Sequence, residues 1–289
     1  MKSDYRREFA AAVRLSRLPG VGAARFADLI KQHGLPSTAL AEVNGNEDLF
    51  ANDKAPMENE QNQIAAYLEN GGFGVYLGAE DYPRLLRQTP EPPPYLFRRG
   101  PLWPLDTFAV AIVGPRKSSQ KGKRFAAKLA RGLAELGVTI ISGGALGVDA
   151  AAHNAAMATS GRTVLVTATG IDRFYPPQNE QLFRQVAHCG CILTELMPGT
   201  PPRRDFFPTR NRIITGLAQA LVVVEGSRKS GTASSYAQMR KLNRPIFTWT
   251  GGNHGRFDLA EDILDHGGKI LHEPDAELIV QTVLRQQNG

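Results

Sequence analysis

Apolar side chains spaced three and four apart from Phe9 to Leu18, and again from Ala23 to His33, predict two short helices. Pro19-Gly20-Val21-Gly22 separates them and Gly34-Leu35-Pro36 closes the second. Short helices with polar breaks continue to about Leu68, so residues 1–70 read as a helical module. The stretch from 70 to 105 carries Asp81-Tyr82-Pro83 and Pro90-Glu91-Pro92-Pro93-Pro94-Tyr95-Leu96-Phe97. Proline at that density rules out a long helix, and residues 71–105 read as an extended linker ending in an edge strand. From Asp106 onward near-continuous apolar runs alternate with helix-length segments. The predicted strands are Phe108–Val113, Val138–Ser142, Thr163–Val166, Cys191–Thr194, Leu221–Val224 and Ile246–Trp249. Such runs are buried parallel strands, and residues 106–289 read as an α/β doubly wound, mostly parallel sheet.

In that architecture ligands bind beyond the carboxyl ends of the strands, which directs attention to the loops there. Gly114-Pro115-Arg116-Lys117-Ser118-Ser119 follows the first strand and enters a helix near Gln120. Ser142-Gly143-Gly144-Ala145-Leu146-Gly147-Val148-Asp149 follows the second and runs into a helix over Ala150–Ala158. Glycine turns that open helices present unpaired N–H groups at the positive end of the dipole, a setting for phosphate. The dinucleotide fingerprint is missing, since the first loop has one glycine and no acid ends the second strand; the Walker pattern is missing too. Met197 to Arg212 reads as one long loop holding Arg203, Arg204, Phe206, Phe207, Arg210, Asn211 and Arg212, a mixture suited to phosphates and stacked bases. Ser230-Gly231-Thr232 starts a further helix, where these residues cap it, bind phosphate, or do both. Asp149 and His153 lie four apart on one helix face, either as a bonded pair or, more simply, as a dipole-placed acid and a structural imidazole. No Ser, His and acid fall in a nucleophile pattern, so no catalyst is expected.

Charge sharpens this picture. The net value of +6 is modest, but residues 116–131 hold seven basic side chains and no acid, and residues 203–244 hold nine against Asp205 and Glu225. Clustered basic charge is either a phosphate footprint or a set of solvated helix faces. A composition of 42% hydrophobic residues, without an apolar run of membrane-spanning length, excludes a membrane protein built on helices. The charged first ten residues are followed by no apolar signal region, so a cytoplasmic location is expected. Cys189 and Cys191 read as buried thiols on one strand face, too close for a relaxed disulfide. With His188 they supply only three ligands, so no metal and no cofactor are expected.

Taken together, Asp81-Tyr82-Pro83 with Leu85-Leu86, the Pro-Pro-Tyr-Leu-Phe run, Val113-Gly114-Pro115-Arg116, Ser142-Gly143 to Asp149-Ala150-Ala151-Ala152-His153, Gly170-Ile171-Asp172 with Tyr175-Pro176-Pro177-Gln178-Asn179, and Pro208 to Arg212 resemble the DNA-processing protein A family, DprA or Smf. The resemblance implies a helix-hairpin-helix or SAM-like N-terminal module, in which Leu18-Pro19-Gly20-Val21-Gly22 is the hairpin. It also implies an extended Rossmann-like domain. The implied function is single-stranded DNA binding that protects incoming DNA and passes it to the RecA recombinase in natural transformation, with a homodimer through the Rossmann-like domain and no catalysis. Carried onto this chain, it places the DNA backbone against Arg116, Ser142, Gly143, Arg210 and Arg212. Gly114, Lys117, Gly144, Asn211, Ser230, Gly231 and Thr232 complete the candidate phosphate site, with Phe206 or Phe207 stacking a base. The chain departs from the family pattern at Pro115, at Leu146 and at Ser230-Gly231-Thr232-Ala233, and it stops before the C-terminal winged helix that many members carry.

A second reading is a nucleotide sensor or a nucleoside-monophosphate phosphoribohydrolase-like enzyme of the same superfamily, suggested by Gly231-Thr232 with Glu225 nearby. The glutamate expected one turn after Gly231-Thr232 is missing, because Ser235, Tyr236 and Ala237 stand there. A third is an interaction module that docks a partner on its helices or sheet edge.

Overall fold

The computed structural model describes residues 2–44, 54–101, 108–251 and 258–288, in two compact units. The boundary expected at 105/106 lies outside the described residues. The first unit comprises residues 1–99 with 169–173 and 193–201; the second comprises 100–168, 174–192 and 202–289.

In the first unit, helices α1 (Lys2–Arg17), α2 (Ala23–His33), α3 (Pro36–Asn44) and α4 (Lys54–Glu69) precede strand β1 (Phe73–Tyr76), the single-turn helix α5 (Arg84–Arg87) and strand β2 (Tyr95–Arg99). The segment read as a linker thus carries an antiparallel pair, β1 against β2, with Phe73 opposite Arg98 and Tyr76 opposite Tyr95. Gly74 on β1 is there because a Cβ would stand 2.0 Å from the Phe9 ring. Phe9 packs edge-on to Phe97 at 5.4 Å, and Phe97 meets Tyr67 at 5.2 Å, which joins α1, α4 and β2 in one aromatic core. The buried Glu8 carboxylate accepts the Ser37 amide at 2.9 Å and its hydroxyl at 2.6 Å, holding the start of α3 onto α1.

The second unit runs β3 (Ala109–Val113), α6 (Gln120–Glu135), β4 (Thr139–Gly143), α7 (Val148–Ala158), β5 (Thr163–Val166) and α8 (Glu180–Cys189). Strand β6 (Cys191–Thr194) has residues in both units. The second unit continues with α9 (Phe206–Gly216), β7 (Ala220–Val224), α10 (Gly231–Lys241), β8 (Ile246–Trp249), α11 (Asp258–Asp265), β9 (Lys269–Ile270) and α12 (Ala276–Asn288). Its strands lie in the order β5-β4-β3-β7-β8-β9, and every pair is parallel. Each of β3, β4, β5 and β7 is buried along its whole length, which is why the apolar runs are continuous rather than alternating. Phe125, Leu129 and Leu133 of α6 pack with Val110, Ile112 and Ile140 in the main core. This is the α/β, Rossmann-like, mostly parallel fold that the alternation predicts.

Two local expectations are corrected. The run from Met197 to Arg212 is not all loop, because α9 takes it over at Phe206. Pro208 sits in the first helical turn, where its missing N–H needs no partner, and Ile213, Ile214 and Leu217 continue a buried helical face. Cys189 and Cys191 do not share a strand face: Cys189 ends α8 and is exposed, Cys191 is buried in β6, and neither is in a disulfide. Among the described residues no helix is long and apolar enough to cross a membrane.

Candidate nucleic-acid interface

The chain leaves β3 toward β4 on one side and arrives at β7 on the other, so the direction of winding reverses between β3 and β7. Beyond their carboxyl ends the connecting loops part and leave a crevice, the place where such sheets hold ligands. A cavity of about 310 Å³ opens there, entirely within the second unit. Gly114, Pro115 and Arg116 line it from β3, Gly144, Ala145 and Asp149 from the turn into α7, and Tyr175 from the segment before α8. Phe207, Arg210 and Asn211 of α9 and Ser230, Gly231 and Thr232 at the start of α10 close the other side.

The starts of α7, α9 and α10 line this crevice, and α6 begins four residues after Arg116. Ser119 caps α6 by accepting the Gly122 amide at 2.9 Å. Its own amide donates to the Glu225 carboxylate at 2.9 Å, and its hydroxyl makes a short bond to the same group. Glu225, 3% exposed and at φ 62°, therefore anchors the first turn of α6. Gly147, at φ 89°, precedes α7, and a Cβ there would stand 2.6 Å from the Pro115 carbonyl. Ser230 precedes α10 and spends its hydroxyl on the Ser227 carbonyl at 2.6 Å, so the exposed Gly231 is left with open space around its Cα.

The charged and aromatic groups interlock. The exposed Arg116 guanidinium lies over the Phe207 ring at 4.8 Å and faces Tyr175 at 6.0 Å. Arg210 approaches the same Phe207 ring at 5.9 Å, and Tyr175 and Phe207 are 5.9 Å apart. Cations over ring faces hold the rings in place and keep a positive field at the mouth. Arg210 itself is 8% exposed; it donates to the Val166 carbonyl at the end of β5 and, at 3.1 Å, to the Asn211 side chain. Asn211 passes the link on to the Gly231 carbonyl at 3.2 Å, tying α9 to α10.

Beneath Arg210 lies a buried acid. Asp149 accepts the Ala145 amide at 3.3 Å, and its carboxyl is pushed up to about 6 by burial, with Arg210, the Ala145 amide, Ser142 and Arg116 pulling it back down. A Cβ on Gly143 would meet the Asp149 carboxylate at 2.7 Å and the Arg210 guanidinium at 2.8 Å. That glycine makes room for the two charges. His153 is not bonded to Asp149. Its Nε2–H donates to the Gly143 carbonyl at 2.9 Å and Nδ1 meets the Thr163 hydroxyl at 2.6 Å. Burial drives the imidazole down to about 4, so it is neutral, and the carbonyl partner fixes its tautomer.

Of the fourteen residues predicted for the site, the crevice gathers Gly114, Arg116, Gly144, Phe207, Arg210, Asn211, Ser230, Gly231 and Thr232. Lys117, Ser142, Gly143, Phe206 and Arg212 do not line it. Ser142 is fully buried and its hydroxyl donates to the Ile112 carbonyl at 2.6 Å, while Phe206 turns away to pair with Arg203 at 5.0 Å. Lys117 stands exposed beside Arg116, and Arg212 is half-buried one residue beyond Asn211 on α9. The structure adds Tyr175, Thr167, Pro115 and Ser235. The aromatic signal at Tyr175-Pro176-Pro177 was present in the sequence, but nothing local said that it folds over Phe207. Ser235, 2% exposed, lines the crevice one turn into α10. His153 is spent on Gly143 and Thr163.

Comparison with known proteins agrees with this fold. The family model of DNA recombination-mediator protein A matches residues 74–282. Protein Smf of Synechocystis is 44% identical over 172 residues, which cover 58% of this chain and 43% of that protein. DNA processing protein DprA of Bacillus subtilis is 35% identical over 189 residues, 65% of this chain and 64% of its own. The chain thus spans less than half the length of its Synechocystis relative and about two thirds of the Bacillus one. The X-ray structure of DNA processing protein A from Streptococcus pneumoniae superposes with a TM-score of 0.76 at 28% identity and covers 95% of both chains. DNA processing protein A from Helicobacter pylori, whose structure addresses its single-stranded DNA binding mode, superposes at 0.65 with 29% identity over 72% of this chain and 95% of that one. The family match over residues 74–282 makes this chain a member of the DNA recombination-mediator protein A family.

Proposed function

We propose that this protein binds single-stranded DNA in the crevice between β3 and β7. In this reading it processes incoming DNA during natural transformation in the cytoplasm, protecting the strand and passing it to the RecA recombinase. It does so as a homodimer formed through its Rossmann-like unit. The observation that carries the reading is the exposed Arg116 guanidinium over Phe207 and Tyr175, at a crevice that the starts of α7 and α10 also line. Arginine and the open start of α10 at Gly231 take the backbone phosphates, and the two rings take a base, which is how single strands are held without regard to sequence. The single-stranded DNA binding described for the Helicobacter relative supports it.

Fluorescence anisotropy with labelled oligonucleotides of increasing length, at several salt concentrations, tests it. Affinity is expected to rise with strand length, fall steeply with salt and exceed that for duplex. Replacing Arg116 with alanine removes one phosphate-neutralising cation. The variant is expected to bind about tenfold more weakly at low salt, with the slope of log affinity against log salt reduced by about 0.7. A folded variant with the wild-type slope takes Arg116 out of the interface. Saturation by one AMP molecule with little salt dependence replaces the proposal with nucleotide sensing.

A further inference from the structure

The first unit carries an aromatic ring that its own core does not use. Phe73 opens β1 and is 45% exposed, whereas Val75 and Tyr76 on the same strand are buried. Its cross-strand neighbour is Arg98, whose guanidinium lies 5.4 Å from the ring centre. Arg6, reaching from α1, lies 6.0 Å from the same ring. The backbone that carries the ring is held: the Tyr67 hydroxyl accepts the Phe73 amide at 3.2 Å and sits 2.8 Å from both the Phe73 and Arg98 carbonyls. Gly72 allows this, since a Cβ there would stand 2.5 Å from the Tyr67 ring. Arg98 is also left incomplete, with its Nε buried and without an acceptor among the described residues. The Asp81 carboxylate of the same unit is taken by the Tyr5 hydroxyl at 2.5 Å.

An exposed phenyl ring between two guanidiniums is the combination that receives an unpaired base with a phosphate on each side. The ring and the planar cations all offer stacking faces, and the charges meet the backbone. A folding role alone leaves the exposure of Phe73 without a use. We propose that Phe73, flanked by Arg6 and Arg98, is a second stacking platform for single-stranded nucleic acid, carried by the first unit and separate from the crevice. Phe73 and Arg6 precede the segment matched by the family model, whereas Arg98 lies within it, so the platform straddles the start of the match. This inference rests on the reading that the protein binds single strands.

The test uses the full chain and thymidine oligonucleotides carrying 5-iodouracil, which cross-links to stacked aromatic rings on irradiation; the linked peptides are identified by mass spectrometry. Cross-links are expected at Phe73 as well as at Tyr175 or Phe207. Phe73→Ala is expected to weaken binding of long oligonucleotides by about fivefold or more, the equivalent of one lost stack. Phe73→Trp is expected to restore the affinity and to gain an indole emission that DNA quenches. Cross-links confined to Tyr175 and Phe207, with unchanged affinity in Phe73→Ala, overturn the platform and leave the crevice reading standing. Loss of a dimer in light scattering for Phe73→Ala, without a cross-link at Phe73, assigns the ring to a second copy of the chain and overturns the platform. Absence of all cross-links and of all binding overturns both.

Discussion

Replacing Arg210 with methionine is expected to destabilise the second unit by about 3–5 kcal/mol at pH 7.5, the cost of stranding one half of a buried charge pair. Methionine keeps the length of the side chain and removes its charge and its donors. The Val166 carbonyl then loses its donor at the end of β5, and Asn211 loses the hydrogen bond that orients it toward α10. Asp149 loses the cation that most strongly opposes the rise of its carboxyl. A buried carboxylate without a partner takes up a proton instead of paying the full penalty, so the deficit is expected to shrink as the pH is lowered to 5. Adding Asp149→Leu to the methionine variant removes the stranded acid and is expected to recover part of the loss, as apolar replacements of buried ion pairs do. Urea midpoints at pH 5 and 7.5, together with hydrogen exchange of β4, β5 and α9, read this out. A deficit below about 1 kcal/mol at pH 7.5, or one that does not change with pH, refutes the pairing.

The alternation of apolar strands and helices made the second unit legible because each central strand is buried on both faces and carries an unbroken signal. Ala23–His33 and the helix start at Gln120 were readable for a different reason: glycine and serine punctuate them locally. The pairing of β1 with β2 was not legible, since Phe73-Gly74-Val75-Tyr76 spends its glycine on the Phe9 ring, a contact more than sixty residues away in the sequence. The same distance hid part of the site. Gly143 looked like a phosphate-cradling glycine, and only the fold shows Asp149 and Arg210 standing over its Cα. Phe206 and Phe207 were indistinguishable as a pair of neighbours, until the helical turn of α9 gave Arg203 to one and the crevice to the other. Sequence identifies the kinds of residue that hold a phosphate or a base. Which of two adjacent residues does so is decided by helical phase and by partners far along the chain.

The buried floor of the crevice is expected to make two opposing contributions to stability as the pH changes. Asp149, with its carboxyl pushed up to about 6 chiefly by burial, holds a proton in the folded protein that the unfolded chain has already released. Its contribution is therefore most favourable in acid and is lost as the pH rises from about 4 to 6, by roughly 3 kcal/mol. His153 behaves in the opposite sense. Driven down to about 4, it lacks in the folded protein a proton that the unfolded chain binds. Its contribution is present at neutral pH and is lost as the pH falls from about 6.5 to 4, again by roughly 3 kcal/mol. The two residues sit one helical turn apart on α7, both close to Gly143 and both influenced by Arg210, and in the wild type their slopes nearly cancel. Single substitutions separate them. Measured against the wild type at each pH, so that titration elsewhere cancels, Asp149→Asn is expected to gain stability on going from pH 4 to 7. His153→Gln, whose amide can still donate to the Gly143 carbonyl, is expected to lose it over the same range. Urea unfolding at half-unit pH steps decides the matter. If both variants run parallel to the wild type, neither group titrates on folding, and the crevice floor is held by hydrogen bonds alone.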